Sequence, residues 1–422
     1  MRRPLHGPGW LSIAATLLAL AAGTHGAHAA PDDKVLAAAH AQQGPLIETL
    51  KSLVLIESGS ADVEGLRKVA ALVEGRLQAL GFKTERHKAT AGPGADIVVG
   101  TLTGSGKRRL MLQAHMDTVY EQGVLASQPL KQDGNRLYGP GIADDKGGIA
   151  VVLHALKMLA DLGWRDYATL TVLFNPDEEI GSIGSGELIA RLADQHDAVL
   201  SCEPTAAKDV AKVESVLTGA AGTAQATLEV KGRASHAGGA PQLGRNAAIE
   251  LAYQLLQTKD VAKDVPGAQL NWTTITAGRV RNQIPDHAVA GGDVRLTQPG
   301  AETRLLDALK AKVASGQLVP DTETTVKLVV GRPAFLAGPK GQALAERAQA
   351  IYAELDRKLA ITPMTGGATD AGYAARSGKA AVLESLGLPG WGYHARDEYI
   401  ELDSIVPRLY LMARMLVELG RE

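Results

Sequence analysis

The chain has 422 residues, 45% hydrophobic and 21% charged, which excludes a disordered or collagen-like protein and leaves room for two or three domains of roughly 150 residues each. With 44 Lys and Arg against 46 Asp and Glu the formal charge is −2, so no global field draws the protein to nucleic acid or to an anionic membrane. Cys202 is the single cysteine, which excludes intrachain disulfides, iron–sulfur clusters and thiolate-rich zinc sites; any metal must be held by His, Asp and Glu.

Arg2 and Arg3 precede an apolar stretch at 11–22 and the small residues Ala27-His28-Ala29, the layout of a secretory signal cleaved near Ala29 or Ala30. A membrane anchor is the alternative, but the apolar core is shorter than the ~20 residues a spanning helix needs. Export, with a bacterial periplasm as destination, is the expectation. Helical spacing follows at 46–56 and 63–80, with Gly81 as a stop. Strand-like runs lie at 96–102, 109–114, 169–175 and 198–203, with a helix at 147–162 between them. Strands alternating with helices predict a mostly parallel mixed sheet covered on both faces, with functional groups beyond the strands' carboxyl ends.

The middle of the chain changes rhythm. A strand at 224–232, a helix at 244–257, strands at 271–280 and 287–296, a helix at 302–315 and a strand at 324–331 make the β-α-β-β-α-β order of a ferredoxin-like unit. It reads as a domain at 219–331 inserted into a larger one formed by 31–218 and 332–422, with 1–30 as the signal. A helix at 341–359 and a strand near 380–384 resume the first domain.

Polar residues gather at the predicted strand ends. His115 and Asp117 follow the apolar run LMLQA, and their spacing puts both on one face of an extended segment. They read either as a hydrogen-bonded loop pair or as a metal ligand with a partner orienting it. Asp144 and Asp145 in GPGIADDKGG read as a helix N-cap cluster or as ligands; acid after the GxG argues against phosphate. Asp177, Glu178 and Glu179 close the run TVLFNPDEE, either as a solvated charge run or as carboxylates compensated by a cation. Glu203 ends AVLSCE and His394 closes LPGWGYH. Two imidazoles and three or four carboxylates suffice for two neighbouring zinc-type ions with a bridging carboxylate and a general base to spare. The rival designs lack their motifs: there is no GxSxG elbow and no HExxH helix. Cys202, inside an apolar run, reads as an inert buried thiol.

At these motifs the sequence resembles the M20 metallopeptidases, and among them the secreted bacterial glutamate carboxypeptidases. The carriers are AHMDTVY, YGPGIADDKGG, LFNPDEEIGS, the Glu-Pro-Thr at Glu203, KGRASHAGGAP, NQIPDHA, GRPAF, TGGATDAGYAA and ESLGLPGWGYH, in order from the helix near Leu46 to the last residues. The segment 205–221 and Pro176 depart from the family pattern. The resemblance implies two zinc ions per chain: His115 and Glu203 on one, Glu179 and His394 on the other, Asp144 bridging, and Asp117 holding the ring of His115. It implies that Glu178 is the catalytic base, taking a proton from the bridging water and delivering it to the leaving amine, and that a non-proline cis peptide follows Asp144. The inserted unit becomes a lid and dimerisation domain. His236 becomes its histidine for the substrate carbonyl or oxyanion, acting across the dimer in related enzymes. Asn282, Arg295 and Arg332 match positions near lid and hinge, and Gly367 and Thr369 lie in a loop resembling a substrate-carboxylate cradle.

The expected activity is that of an exported dizinc exopeptidase, homodimeric through the lid in the family's manner, removing C-terminal glutamate from N-acyl or peptide-like amides including folates. An M20 aminoacylase or dipeptidase acting on another amino acid, and an exported small-molecule binding protein without turnover, are the alternatives.

Overall fold

The computed structural model describes residues 29–422, and residues 1–28 of the expected signal lie outside the described residues. The first helix, Asp33–Val54, begins well before the expected position 46 and runs through Pro45. Asp32 caps it by accepting hydrogen bonds from the amides of Lys34 and Val35. Val35, Ala39, Leu46, Leu50 and Leu53 form its buried stripe, and burying those side chains outweighs the one hydrogen bond that proline cannot donate.

The main sheet has six strands in the order Lys83–Lys88, Asp96–Thr103, Thr169–Asn175, Arg109–His115, Ala198–Ser201 and Ala381–Leu383. The last four run parallel, while the first two join antiparallel, so the sheet is mixed. Lys83–Lys88 has no counterpart in the sequence reading: KTERHK carries no apolar alternation because it is an edge strand with mostly exposed side chains. One face, with Leu110, Leu112, Val172 and Phe174, packs on helices Asp33–Val54, Lys146–Asp161 and Ile405–Arg421. The other, with Met111, Leu173, Val199 and Val382, packs on the short helices Gly186–Ala193 and Ala371–Ala375. Burial on both faces explains why these strands read as continuous apolar runs.

Between positions 222 and 330 the chain builds a separate four-stranded antiparallel sheet, in the order Ala268–Ala277, His287–Leu296, Gly222–Lys231, Glu323–Val330. Alternate residues Ala224, Ala226, Leu228 and Val230 are buried against helices Ala247–Thr258 and Ala301–Ala314. The following helix is Gly338–Ala353, shorter than the expected 341–359. Asp356 takes a positive φ of 54°, and Leu359–Thr362 then becomes a strand parallel to Glu214–Leu217. The helical spacing past 353 is therefore only apparent. Among the described residues no helix is long and apolar enough to cross a membrane.

Candidate metal centre

The strand Arg109–His115 delivers His115 to the carboxyl edge of the sheet, and Met116 N locks the strand's exit by donating to Asn175 O at 2.7 Å. His115 is 1% exposed. Its Nδ1 lies 3.0 Å from the Asp117 carbonyl oxygen and 3.3 Å from Asp117 Oδ1, which leaves Nε2 facing the other acids. Asp117 does more than orient this ring. Its Oδ1 accepts from Glu178 N at 3.0 Å, and its Oδ2 accepts from Glu179 N at 3.1 Å and from Ser60 Oγ at 2.7 Å.

Those contacts explain the acidic triplet. The strand stops at Asn175, and Glu178–Ile180 is a 3₁₀ turn, so the carboxylates follow the strand rather than ending it. Asp177 turns away and accepts from the amides of Gly184 and Ser185, while Glu178 and Glu179 face a cavity of about 680 Å³. Glu203 likewise lies two residues beyond its strand, Ala198–Ser201, and lines the same cavity with His394. Cys202 beside it is fully buried among core side chains.

Asp144 stands between the two imidazoles. Its Oδ1 is 2.9 Å from His115 Nε2 and its Oδ2 is 3.6 Å from His394 Nε2. Glu203 Oε1 lies 3.6 Å from His115 Nε2, and Glu179 Oε2 lies 3.2 Å from His394 Nε2. The Asp144–Asp145 peptide is cis. The loop before it is pinned by Glu398, whose carboxylate accepts from the amides of Gly141, Ala143 and Asp144 at 2.8–3.0 Å and from the Tyr120 hydroxyl at 2.7 Å. Asp145 accepts from His115 N at 3.2 Å and caps the next helix through Gly148 N.

The electrostatics match this crowding. Burial pushes Glu178 well above the usual carboxylate range, with Arg332 opposing the rise. Burial, then the neighbouring Asp144, raises Glu179 to about 7. Burial also acts on Asp144, but hydrogen bonds from His115 and His394 hold it below its ordinary value. Hydrogen bonds that it donates to Asp144 and Glu179 raise His394 to about 10. Ligand atoms of His115, Asp144 and Glu179 come within 4.8 Å of one another, as do those of His115, Asp145 and Glu203. Imidazole nitrogens and carboxylate oxygens converging without thiolate are donors that zinc accepts, so the residues present fit the ion.

The remaining expected residues divide. Arg295, Arg332, Gly367 and Thr369 all line the cavity. Arg332 is 4% exposed and its fork is engaged: Nη1 donates to Glu178 Oε1 at 2.5 Å and to Ala368 O at 2.7 Å, and Nη2 donates to the Glu178 carbonyl. Arg295 is more open, with Nε donating to Asp293 Oδ2 at 3.0 Å. His236 and Asn282 do not line this chain's cavity. Both are exposed, His236 Nδ1 accepts from the amides of Gly238 and Gly239, and Asn282 O accepts from Ala237 N at 2.9 Å. Sequence reasoning missed Glu398 and Asp370. Asp370 accepts from Asn175 Nδ2 at 2.7 Å and stands 3.8 Å from Arg332 Nε. It lies within TGGATDAGYAA, beside the residues read as a carboxylate cradle, whereas nothing in the sequence around Glu398 signals its role.

Residues 111–418 match the model of "Peptidase family M20/M25/M40". The chain belongs to that family. It is 43% identical over 422 residues to Carboxypeptidase G2 of Pseudomonas sp. (strain RS-16), spanning 100% of this chain and 99% of the relative. It is 28% identical over 362 residues to succinyl-diaminopimelate desuccinylase of Gluconobacter oxydans, spanning 81% and 90%. Among solved structures, a Staphylococcus aureus tripeptidase superimposes with a TM-score of 0.73 at 20% identity, covering 90% of this chain and 99% of that one. An M20 family metallo-carboxypeptidase from Sulfolobus solfataricus gives 0.70 at 18% identity, covering 89% and 99%. At those identities the structural likeness shows the fold. The protein is a hydrolase of this peptidase family.

Proposed function

We propose that the protein is a zinc-dependent exopeptidase that hydrolyses the amide bond to a C-terminal glutamate in N-acyl or peptide-like substrates, folates and their analogues included. The observation that carries this reading is the placement of Asp144 between His115 and His394, each flanked by a further carboxylate, in a chain 43% identical to a named carboxypeptidase over its whole length. His115, Asp144 and Glu203 would hold one zinc ion, and Asp144, Glu179 and His394 a second. Zinc bound there would polarise the scissile carbonyl and lower the pKa of the attacking water.

The chain's own residues supply the rest. Asp117 fixes the ring of His115 through Nδ1 and, through its two oxygens, the amides of Glu178 and Glu179. Glu178 reaches the cavity from a buried position, and acts as the base that takes the water's proton and passes it to the leaving nitrogen. Arg332 holds that carboxylate in place. Arg295, Gly367 and Thr369 offer cation, amide and hydroxyl to the substrate's carboxylates. The unit at 219–331 serves as lid and dimerisation surface, with His236 and Asn282 acting on a neighbouring subunit's site, which accords with their absence from the lining of this chain's cavity. The mature protein is exported, to the periplasm in our reading.

A panel sharing one acyl group and differing in the C-terminal amino acid, with product release followed by liquid chromatography with and without chelator, tests the reading. Glutamate release should lead the panel and vanish with chelator, and purified enzyme should carry about two zinc ions per chain. Preference for another amino acid would move the assignment to an aminoacylase or dipeptidase of the same family. Tight binding with no turnover would sink the enzymatic reading.

A further inference from the structure

Beyond Glu179 lies a second cleft, of about 560 Å³. It shares Glu179 and Ile180 with the cavity described above, so the two meet at one proposed metal ligand. Paired backbone builds its walls. Gly59 and Thr118 form a parallel bridge, Ser60 N donates to Thr118 O at 3.1 Å, and Thr118 N donates to Ser58 O at 2.9 Å. A β-carbon on Gly59 would stand 2.2 Å from the Tyr120 carbonyl oxygen, so only glycine allows this approach. Glu57 anchors the loop after 119–122 by accepting from Gly123 N at 2.7 Å and Leu125 N at 2.9 Å. Ser60 Oγ, bonded to Asp117 Oδ2, ties the wall to the residue that holds His115.

The two openings differ in charge. The larger cavity carries Arg295 and Arg332 besides the proposed metal-binding and catalytic acids Asp144, Glu178, Glu179 and Glu203. The cleft has no Lys, Arg or His among the described residues lining it; it has Asp62 and Glu121 instead, and the apolar side chains of Val119 and Ile180, each 40% exposed. The halves of a scissile amide leave its carbonyl in opposite directions. If the amino-acid carboxylates lie on the arginine side, the acyl half must pass towards the other opening.

We propose that this cleft is the acyl-side subsite, and that it takes uncharged acyl groups with an apolar face and N–H donors while rejecting acidic ones. The inference rests on the glutamate-releasing reading above and adds the residues that select the acyl half. A ring laid on Val119 and Ile180 removes apolar surface from water, and its amino groups find acceptors at Asp62 and Glu121. An acyl carboxylate would meet like charge there. The volume lies in the range of cavities that enclose ring systems.

The test uses full-length mature enzyme loaded with zinc and three substrates with one leaving residue: N-(4-aminobenzoyl)glutamate, N-acetylglutamate and N-succinylglutamate. Wild type should give kcat/KM in that descending order. Val119→Ala should lower the aminobenzoyl-to-acetyl ratio by about tenfold, the scale of a lost apolar contact in a specificity pocket. Gln122→Arg, which places a cation at the cleft, should raise the succinyl-to-acetyl ratio by about tenfold, one charge-assisted hydrogen bond's worth. Both positions are exposed, so neither substitution threatens the fold. Ratios that stay at wild-type values in both variants would overturn the subsite while leaving the glutamate reading intact. Release of no glutamate from any of the three by wild type would overturn both.

Discussion

Arg408 is fully buried on the C-terminal helix, and its replacement by Met is the most demanding test of how the fold holds the site. Its Nε donates to Glu214 Oε2 at 3.0 Å, Nη1 to Ser385 O at 3.0 Å, and Nη2 to Thr205 Oγ1 at 3.1 Å and Ser215 O at 3.0 Å. Glu214, 2% exposed, also accepts from Arg357 Nη1 at 3.2 Å and from the Tyr352 hydroxyl. One side chain thus joins the C-terminal helix to the 205–215 segment and to Ser385, which lines the cavity. Removing one partner of a buried ion pair costs roughly 3–5 kcal/mol, mainly because the other charge is stranded. Arg357 still faces Glu214, so Arg408→Met should fall near the lower bound, about 3 kcal/mol. Adding Glu214→Gln removes the stranded charge and should recover about 1–2 kcal/mol, a non-additive cycle of the kind expected for residues in contact. Guanidinium unfolding followed by circular dichroism, at one fixed zinc concentration because bound metal shifts apparent stability, measures each corner. Arg408→Lys keeps the charge but loses the fork, and should fall between wild type and Met if the Met variant does not accumulate. A loss under about 0.5 kcal/mol, the scale of an ordinary surface change, or an additive cycle, would refute the stranded-charge argument.

Other outcomes follow from the site. Glu178→Gln keeps shape and removes the proposed base, so kcat should fall by about 10²–10⁴ while zinc content stays at the wild-type value; activity equal to wild type would refute the proposed role. Asp117→Ala frees the ring of His115 and the turn bearing Glu178 and Glu179, and should weaken zinc by about 10–100-fold in chelator competition; unchanged affinity would remove Asp117 from its supporting role. His154 gives a pH prediction. Burial, aided by Arg76 and Lys157, lowers its pKa to about 4, and its ring nitrogens bond Gln42 Oε1 at 2.7 Å and Thr49 Oγ1 at 2.8 Å. In the unfolded chain the ring titrates near 6.5, so the unfolded state takes up the proton first as pH falls. This stabilisation is complete above about pH 6.5 and is lost down through about pH 4, up to about 3 kcal/mol. Unfolding of chelator-treated wild type and His154→Gln at pH 7 and pH 4.5 should show the steeper loss in wild type; parallel losses would contradict it.

The strands of the main sheet and the residues beyond their ends were legible because parallel strands buried on both faces leave long apolar runs, and polar residues that interrupt such runs stand out. Thr169–Asn175 and His287–Leu296 match the sequence reading at both ends. Lys83–Lys88 was invisible, since an edge strand with exposed side chains has no pattern to read. The helix expected to reach 359 stops at Ala353, because pairing of Leu359–Thr362 with a strand some 145 positions earlier is not a local property.

Residue content alone restricts the donor chemistry of any metal site here. With one cysteine, only imidazole and carboxylate remain to hold a metal, and the placement of His115, Asp144, Glu178, Glu179, Glu203 and His394 beside apolar runs marked where such a site could form. Which carboxylates face the cavity and which hold it up depends on the folded chain. Adjacent in the chain, Asp177 and Glu178 diverge, the first capping Gly184 and Ser185 and the second meeting Arg332. Asp144 and Asp145 likewise part, one lying between two imidazoles and the other bonding backbone amides. Glu398 supports the Asp144 loop from more than 250 positions away. A carboxylate's role depends on which donors the fold brings within about 3 Å of it, and those donors come from segments that sequence spacing does not connect.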